Sequence, residues 1–558
     1  MRSWQKKALS LALAALMSAS LVACGNDSGK ESSSEPASTP ASSTAAEESS
    51  KTEEADPFAE HMKISIAVWN IGDAITDGED AVRDALYDKL NIEIEPYAVT
   101  WGDYVEKIML WAATNKLPDM TAYEAGYTET FRKWRDEGVI RALPDASNYP
   151  NVAAQLNTES GRSINEVAHD DANPTFYAIP RPNIVVPEDA MLENGIMIRR
   201  DWMGNVGVTK VPENIDEFID LMLKFQNEDP DGNGKNDTIG LAGYTFAYMS
   251  FLFSGECPDA VNGFRWEFAE DGSLIPAFMT EAFRDGVKTL KKAYDAGIID
   301  PDYIIYKGEE GRDKFANGQA GAYAHAGPSL GGTQAMEDKI LKTYPDKTID
   351  ELIAFIPWFA NPTTGEVRYP SITPSWSETY LSSRVDDAKA ERCMALMDFL
   401  LSDEGYELVG LGIEGETYTK DADGNYQVIE LTKSDGTPMA LKEKYPATQL
   451  QTLANWTPFR SASSPAYSDG LKKLRNEYMA DMESRGATFT NRPDTNGLIL
   501  EDSADYDTAG ADFEKICNDL MLSDDVDAAW QAMVDSYMAQ GYDKVIEEMN
   551  KLYKESGR

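Results

Sequence analysis

The sequence predicts an α/β fold, and three observations support this class. Near the start of the folded part, residues 63–69 alternate apolar and polar side chains, with Ile64, Ile66 and Val68 on one face as in a β-strand. A helical stretch and a second short strand at residues 91–95 follow, and strand, helix and strand in this order are typical of a parallel sheet. The chain has 558 residues. That length is too great for one hydrophobic core, so the folded part should divide into two or three units.

The N-terminus has the pattern of a secretory signal. A basic segment, residues 1–7, precedes residues 8–22, which are mostly apolar and carry no charge. This stretch ends in LVAC, and a cysteine after small and aliphatic residues at this place resembles the lipobox of bacterial lipoproteins. We therefore expect a signal peptide over residues 1–23. Cys24 would then carry fatty acyl chains such as palmitate and anchor the mature chain at the extracytoplasmic face of the cell membrane.

The next segment, residues 24–57, is predicted to be a disordered tether. It consists largely of Ser, Ala, Thr, Glu and Pro without apolar periodicity, so it cannot bury enough surface to fold. A flexible chain of this length reaches on the order of 30 Å, which is enough to hold a folded domain clear of a lipid surface.

The charge and the cysteines exclude several classes of protein. The formal net charge is −44, which repels the phosphates of nucleic acids and anionic lipid headgroups. Cys257, Cys393 and Cys517 remain besides Cys24, and they are too sparse for a disulfide framework or a zinc cluster. We expect these three side chains to be small buried residues.

The ends of the first strands are the predicted position of a ligand crevice. In parallel α/β sheets, ligands bind outside the carboxyl ends of the strands. This rule points to Trp69 and Asn70, which follow the first strand, and to residues 120–127. A core position is the competing interpretation for Trp69.

The loop at residues 229–240 has the pattern of a calcium site that follows a helix. Oxygen-bearing side chains alternate along it, and Gly234 stands at the sixth position, where the loop must bend sharply. Gly240 replaces the glutamate expected at the twelfth position, so a further ligand would come from elsewhere or be water. The competing interpretation is a solvated turn. The predicted ligands of a structural calcium ion are the side chains of Asp229, Asp231, Asn233 and Asp237 and the carbonyl of Lys235.

Later segments add further elements to the prediction. A turn at Gly272 predicts a hairpin over residues 266–278, and apolar spacing predicts a helix over 283–294 that ends at Gly297. Similar spacing predicts helices at 387–405, 530–537 and 542–553.

Five further motifs stand out: NKLPD at 115–119, IRRDW at 198–202, the loop at 229–240, AGIIDP at 296–301 and GIEGETY at 412–418. Together they resemble the family 1 extracellular solute-binding proteins of bacterial ABC importers, and in particular their large lipoprotein and alginate-binding branch. The resemblance covers roughly residues 62–558. It implies two α/β lobes, each discontinuous in sequence, joined by a hinge, as in periplasmic binding proteins.

The resemblance also suggests limits for the two lobes. The chain should cross between them near residues 180, 370 and 420. Lobe 1 would then contain residues 58–180 and 370–420, and lobe 2 residues 181–369 and 421–558, including the C-terminal helices.

Two short motifs suggest an enzyme, but their context does not fit. GPSLG at 327–331 has the pattern of a serine nucleophile elbow, yet the chain's three histidines all lie upstream of Ser329. GLGIEG at 410–415 has dinucleotide-binding spacing but follows a helix instead of a strand. Carboxylate pairs for glycoside hydrolysis cannot be assigned from spacing. A glycoside hydrolase therefore stays the alternative, together with a sensor or adhesion accessory protein.

The function implied by the resemblance is a lipid-anchored, monomeric receptor that captures an oligosaccharide and delivers it to importer subunits without altering it. Aromatic rings stack on sugars, and charged or amide groups bond to hydroxyls and carboxylates. The charge of the sugar stays open, because the negative chain would oppose an anionic ligand unless Arg181 or a neighbour offsets it locally. The predicted ligand-binding residues are Trp69, Tyr123, Glu124, Arg181, Tyr244, His325 and Trp376.

Overall fold

The computed structural model describes residues 58–557 apart from short gaps. The gaps are residues 101, 127, 168–170, 183–191, 193–194, 244–249, 259–265, 307–309, 325–329, 370–374, 423, 425, 437–438, 455–466, 491–492, 496–497 and 508–512. The predicted signal peptide, tether and acylated Cys24 lie outside the described residues, and so do Tyr244, His325 and Ser329.

The strands are, in chain order, β1 (Met62–Ala67), β2 (Ile92–Pro96), β3 (Met120–Tyr123), β4 (Ala178–Pro182), β5 (Ile196–Arg199), β6 (Ile239–Gly243), β7 (Trp266–Phe268), β8 (Leu274–Pro276), β9 (Ala320–Ala324), β10 (Ile353–Ile356), β11 (Arg368–Tyr369), β12 (Ser375–Leu381), β13 (Tyr418–Lys420), β14 (Tyr426–Val428) and β15 (Thr488–Phe489).

The α-helices span Ile71–Ala74, Ala81–Leu90, Tyr104–Ala113, Glu129–Asp136, Pro150–Leu156, Glu159–Ile164, Arg200–Asn205, Ile215–Asn227, Glu281–Asp295, Glu310–Ala316, Leu330–Thr343, Ile349–Leu352, Asp387–Leu401, Asp403–Gly405, Leu441–Lys444, Asp469–Ser484, Phe513–Met521, Val526–Ala539 and Tyr542–Ser556. Short 3₁₀-helices lie at Ala146–Asn148, Ser250–Phe253, Ala277–Met279, Pro301–Ile305, Pro446–Leu453 and Ala504–Tyr506, and a π-helix at Tyr406–Leu411. Within the described residues, no helix is both long and apolar enough to span a bilayer.

Lobe 1 is built on a sheet with the strand order β2-β1-β3-β12-β4. β1 pairs in parallel with β2 and β3, and β12 is antiparallel to both β3 and β4. The predicted strand, helix and strand at the start of the fold are confirmed, because Ala81–Leu90 connects β1 to β2 and buries Val82, Leu86 and Leu90. The carboxylate of Asp80 caps this helix by accepting hydrogen bonds from the backbone N–H groups of Val82 and Arg83 at 2.9 and 3.1 Å.

Lobe 2 is built on a second sheet, with the strand order β10-β5-β9-β6. β5 is antiparallel to β10 and β9, and β6 is parallel to β9. The predicted hairpin is β7 and β8, with Gly272 at a φ of 81° in its turn, where a side chain would be strained. The predicted helices at 283–294, 387–405, 530–537 and 542–553 are also present, with small differences at their ends.

The two hydrophobic cores take their residues from alternating segments of the chain. The lobe 1 core uses side chains from Ile64 to Ile179 and then from Leu381 to Ala454, whereas the lobe 2 core uses Leu192 to Tyr369 and then Tyr467 to Val545. Each lobe is therefore discontinuous, and three connections join them. Within the described residues, Cys257, Cys393 and Cys517 form no disulfide and are buried, as predicted.

The sequence prediction placed the third connection near residue 420, but this connection lies later in the chain. Tyr445, Leu450 and Leu453 are buried in the lobe 1 core. The Asp80 carboxylate also accepts a hydrogen bond from the backbone N–H of Ala447 at 2.7 Å, so the 3₁₀-helix Pro446–Leu453 is attached to lobe 1. The chain passes to lobe 2 only after Ala454.

Candidate functional site

One edge of the lobe 1 sheet collects polar and aromatic side chains from several strands. β1, β3 and β4 run in the same direction, so their carboxyl ends meet at this edge, and the antiparallel β12 begins there. The described segments of lobe 1 also end or begin near this edge: the first ends at Pro182, the second begins at Ser375, and the last ends at Ala454, where Thr452 Oγ1 donates to the carbonyl oxygen of Trp69 at 3.4 Å. We call the side chains at this edge the inter-lobe cluster; it consists of Trp69, Tyr104, Tyr123, Glu124, Arg181, Trp376, Ser377, Glu378 and Thr452.

The aromatic members of the inter-lobe cluster are packed against each other. The ring of Trp69 lies 5.0 Å from that of Tyr104 and 5.3 Å from that of Trp376, centroid to centroid, and Tyr104 lies 6.1 Å from Tyr123. Trp69 is only 1% exposed, whereas Trp376 is 37% exposed. The buried Trp69 ring thus packs beneath the solvent-exposed members of the cluster. Trp376 offers an accessible face on which a planar or apolar ligand surface can stack.

Arg181 is fully buried and holds three segments together. Its Nη1 donates a hydrogen bond to Ser377 Oγ at 2.5 Å, its Nη2 donates to the carbonyl oxygen of Thr452, and its guanidinium carbon lies 5.2 Å from the centre of the Trp69 ring. Burial lowers the pKa of Arg181 to about 9, against the opposing effect of the Glu378 and Glu124 charges. The guanidinium therefore joins β4 to β12 and to Pro446–Leu453 inside the lobe.

Two carboxyl groups lie in the same cluster in different environments. Glu378 is buried and accepts hydrogen bonds from the backbone N–H of Gly126 at 2.8 Å and from Tyr380 Oη at 2.7 Å. Burial nevertheless raises the pKa of Glu378 to about 7. Glu124 Oε1 accepts a hydrogen bond from Tyr104 Oη at 2.6 Å, and burial raises the pKa of Glu124 as well. Glu124 Oε2 is shielded from solvent and has no hydrogen-bond partner among the residues that the structure describes.

The start of β12 is irregular, and this irregularity positions Trp376. The pairing of β12 with β4 shifts register between Ser375 and Glu378, and Ser377 has a φ of 66°, a left-handed conformation that is uncommon outside glycine. Ser375 Oγ is 2.8 Å from Ser160 Oγ. Strand irregularities of this kind often occur beside binding sites, because they redirect a side chain out of the regular alternation.

The structure brings five of the predicted ligand-binding residues into one cluster, and these are Trp69, Tyr123, Glu124, Arg181 and Trp376. Tyr244 and His325 lie outside the described residues. The sequence analysis did not select Tyr104, Ser377, Glu378 or Thr452. A glutamate inside the otherwise buried strand β12 was the available signal for Glu378, because a buried carboxylate needs partners that only a polar cluster provides.

The predicted calcium loop follows helix Ile215–Asn227 and is tightly turned, with φ angles of 47° at Asp229, 70° at Gly232 and 83° at Gly234. Asn233 Nδ2 donates to Asp231 Oδ2 at 2.7 Å and to Asp237 Oδ1 at 3.0 Å, so these two carboxylates converge. In the part of the chain that the structure describes, no three His, Cys, Asp or Glu side chains form a closed metal site.

The residues of the loop nevertheless fit a hard cation. Asp229 Oδ2 accepts a hydrogen bond from the backbone N–H of Gly234 at 3.0 Å. Its other oxygen, Oδ1, is shielded from solvent without a hydrogen-bond partner among the described residues. Carboxylate oxygens are ligands that calcium prefers, although the described carboxylates of this loop do not come together as a group of three that could hold an ion.

Two discontinuous α/β lobes, with an aromatic and charged cluster at the edge where the parallel strands of lobe 1 end, define a two-lobe binding protein. The chain belongs to the bacterial extracellular solute-binding protein family, whose sequence profile matches residues 81–411. The resemblance that the five sequence motifs indicated is therefore confirmed.

Two characterised relatives cover most of the chain. Lipoprotein LipO of Bacillus subtilis is 24% identical over 479 residues, which are 82% of this chain and 86% of LipO. The polygalacturonan/rhamnogalacturonan-binding protein YtcQ of the same organism is also 24% identical over 479 residues, covering 82% of this chain and 85% of YtcQ.

Solved structures share the fold at lower identity. The substrate-binding protein FusA of S. pneumoniae in complex with kestose superposes with a TM-score of 0.64 at 16% identity, over 89% of this chain and 99% of FusA. The alginate-binding protein AlgQ2, solved without calcium ion, gives 0.62 at 17% identity over 89% and 99% of the two chains. An EF-hand mutant of FusA with fructo-nystose gives 0.62 at 15% identity over the same shares. These similarities confirm the predicted two-lobe α/β fold.

Proposed function

We propose that this protein is a receptor that captures an oligosaccharide between its two lobes and delivers it unchanged to an ABC importer. The observation that carries the proposal is the inter-lobe cluster, which combines an accessible indole at Trp376 with a carboxylate oxygen, Glu124 Oε2, that has no hydrogen-bond partner among the described residues. Sugar rings stack on aromatic faces, and their hydroxyls need hydrogen-bond acceptors. Family membership and relatives named for binding polygalacturonan, alginate and kestose support the carbohydrate class.

Ligand capture would act through the connections between the lobes. A ligand that contacts both lobes stabilises only the closed arrangement, so binding and closure are coupled. The cluster lies near the points where the described segments of lobe 1 end or begin, and a ligand there would lie close to the hinge. Release to the importer would then require the lobes to open again.

The anchor is a further part of the proposal. The signal and the cysteine at position 24 fit a lipoprotein held at the extracytoplasmic face of the membrane as a monomer, and the relative LipO is a lipoprotein by name. In the producing cell, Cys24→Ala should move the protein from the membrane fraction to the medium or periplasm. Membrane retention of this variant would contradict an acyl anchor.

Calorimetric titration with a panel of plant and microbial oligosaccharides tests the proposed receptor function. Each oligosaccharide that binds is then recovered, and its mass is measured. Tight binding with the sugar unchanged is the expected result, whereas shortened sugar would establish the hydrolase alternative. Trp376→Ala should weaken binding at least about tenfold, because one stacked ring contributes roughly 1–3 kcal/mol. Phe268→Ala is the matched control, since Phe268 is 38% exposed in a hairpin of lobe 2 and should leave affinity unchanged.

We also propose that the loop binds one structural calcium ion through the side chains of Asp229, Asp231, Asn233 and Asp237 and the carbonyl of Lys235. The AlgQ2 structure, solved without calcium ion, and the EF-hand mutant of FusA point to calcium binding in some relatives and support this assignment. Asn233 would have to turn its amide so that oxygen rather than nitrogen faces the carboxylates.

Calcium should stabilise the folded protein, because an ion that binds only the native state adds about 2.7 kcal/mol at one hundred times its dissociation constant. Thermal melts with excess calcium and with chelator should therefore differ. Asp231→Ala should abolish the difference, whereas Asp220→Ala, which removes an exposed carboxylate from the preceding helix, should preserve it. Identical melts of the unmodified protein under both conditions would contradict the site.

A further inference from the structure

The charges of the inter-lobe cluster bear on which class of oligosaccharide it accepts. The cluster contains two carboxyl groups, Glu124 and Glu378, and one cation, Arg181. Arg181 is fully buried, and its two Nη atoms already donate to Ser377 Oγ and to the carbonyl of Thr452. The guanidinium therefore serves the packing of lobe 1 and is not presented to a ligand at the surface of the cluster.

Glu124 offers the opposite chemistry. Its Oε1 is engaged by Tyr104 Oη at 2.6 Å, while its Oε2 is shielded from solvent and has no hydrogen-bond partner within the described residues. An ionised carboxylate can only accept hydrogen bonds, and it bonds well to a hydroxyl, which donates. A ligand carboxylate placed beside it would accept as well, so the two groups would repel each other and leave both oxygens unsatisfied.

The charge of the whole chain acts in the same direction. The formal net charge is −44, and a field of this sign lowers the local concentration of anionic ligands and slows their association. Only a cation presented at the site could offset it locally, and Arg181 is withdrawn from that role by its burial and its two hydrogen bonds.

We propose that the inter-lobe cluster selects a neutral oligosaccharide, with a sugar hydroxyl donating to Glu124 Oε2 and a sugar ring stacked on Trp376, and that it discriminates against uronic-acid oligomers. This inference rests on the proposed function and makes it more specific. Glu124 is the residue that determines specificity, and Arg181 is a positioning residue that fixes the start of β12 from within the lobe.

Calorimetry with ligands of equal length but different charge tests the inference on the mature protein. Galacturonic-acid oligomers of one length would be compared with the same oligomers fully methyl-esterified, alongside neutral fructo-, manno-, galacto- and xylo-oligosaccharides. We expect the ester to bind at least about tenfold more tightly than the acid, or a neutral glycan to bind while the acid does not. An acid that binds as tightly as its ester, or more tightly, overturns the inference. If no carbohydrate of either charge binds, the proposed function itself fails.

Two variants with the same change of net charge test whether Glu124 causes the preference for neutral sugars. Glu124→Gln keeps the shape of the side chain but replaces a carboxylate oxygen with a donating NH2 group, so it should weaken neutral ligands about tenfold and narrow the gap between ester and acid. Glu129→Gln neutralises an exposed glutamate on the neighbouring helix Glu129–Asp136 and should change neither affinity. If both variants behave like the unmodified protein, Glu124 is not the selective group and the inference is wrong. Melting curves of both variants check that they are folded.

Discussion

Glu378 is the acidic residue of the inter-lobe cluster that is held most firmly by hydrogen bonds within lobe 1. It lies in the buried strand β12, where burial disfavours its ionised form, while hydrogen bonds from Tyr380 and Gly126 and the charge of Arg181 favour it. The effect of burial is larger than that of these favourable interactions, so the pKa of Glu378 rises to about 7 from its ordinary value of 4.5. A carboxyl group that is half protonated near neutral pH makes the stability of lobe 1 sensitive to pH.

The stability of the protein should fall as pH rises from about 4.5 to about 7. Below this window both folded and unfolded chains hold the proton on Glu378, whereas within it only the folded chain does, so raising the pH favours unfolding. The full effect is about 3 kcal/mol. Urea unfolding at pH 5, 6, 7 and 8 measures the free energy of unfolding of Glu378→Gln minus that of the unmodified protein. This difference should increase by about this amount as pH rises and should level off above pH 7.

Glu129→Gln supplies the comparison for this pH series, because Glu129 is exposed and its stability difference should stay constant. Burial also raises the pKa of Glu337 to about 7, but Glu337 is present in every protein of the series and cancels in the differences. A constant difference for Glu378→Gln across the window would show that Glu378 is ionised throughout.

The sequence predicted those cluster residues that follow strand ends or lie in loops, such as Trp69, Glu124 and Trp376. It did not predict Tyr104, which opens a helix, or Glu378, whose place within a strand was a signal for burial but does not identify its partners. Their roles come from contacts across long stretches of chain, such as Gly126 with Glu378. The predicted ligand contact of Arg181 stays a prediction, while its described hydrogen bonds lie within lobe 1.

Among the elements, local patterns predicted the strands and helices well, whereas sheet order was not accessible. The alternation in β1 and the apolar spacing of Glu281–Asp295 are complete within each segment. The insertion of β12 between β3 and β4 depends on pairing with partners about two hundred residues or more distant in the chain, which periodicity does not encode.

Helix Glu310–Ala316 packs so closely on β6 that only glycine fits at one position. A Cβ on Gly311 would lie 1.7 Å from the carbonyl oxygen of Gly243, and backbone cannot move aside as a side chain can. Gly311→Ala should therefore destabilise lobe 2 by at least about 2 kcal/mol in urea unfolding. Gly204→Ala, in helix Arg200–Asn205 with open space around the added carbon, should be neutral or stabilising by up to about 1 kcal/mol. Equal stability of the two variants would contradict this packing.

At the level of the whole molecule, the resemblance predicted two discontinuous lobes, but the last crossing was misplaced. Residues 421–445 contain only the second strand of the short hairpin β13–β14, and few of the side chains described in this segment are buried, so nothing in them marks a lobe. The attachment of Pro446–Leu453 to lobe 1 depends on Asp80, which is distant in sequence. Long-range contacts of this kind decide where a discontinuous lobe ends.

Among the residues that the structure describes, two ion pairs connect the lobes directly. Lys442 Nζ of lobe 1 lies 2.8 Å from Asp338 Oδ2 of lobe 2, and Arg132 Nη1 of lobe 1 lies 3.3 Å from Glu501 Oε1 of lobe 2. All four side chains are partly exposed, so each pair contributes modestly and is weakened by salt. Because they bridge separate lobes, their effect should fall on the balance between open and closed arrangements.

Neutralising both acidic partners, in the double variant Asp338→Asn with Glu501→Gln, should shift the ligand-free protein toward the open arrangement. Ligand binds the closed arrangement, so its affinity should fall about two- to tenfold at low salt, and the loss should shrink near 0.5 M salt as screening removes the pairs from the unmodified protein too. The matched control is Glu404→Gln with Asp481→Asn, which changes net charge equally but breaks the pairs Lys89–Glu404 and Arg485–Asp481, each within one lobe. Small-angle scattering should show a larger radius of gyration for the inter-lobe variant alone. Equal affinity and equal scattering for both double variants would mean that the pairs do not influence closure, and that opening is set by the three connections themselves.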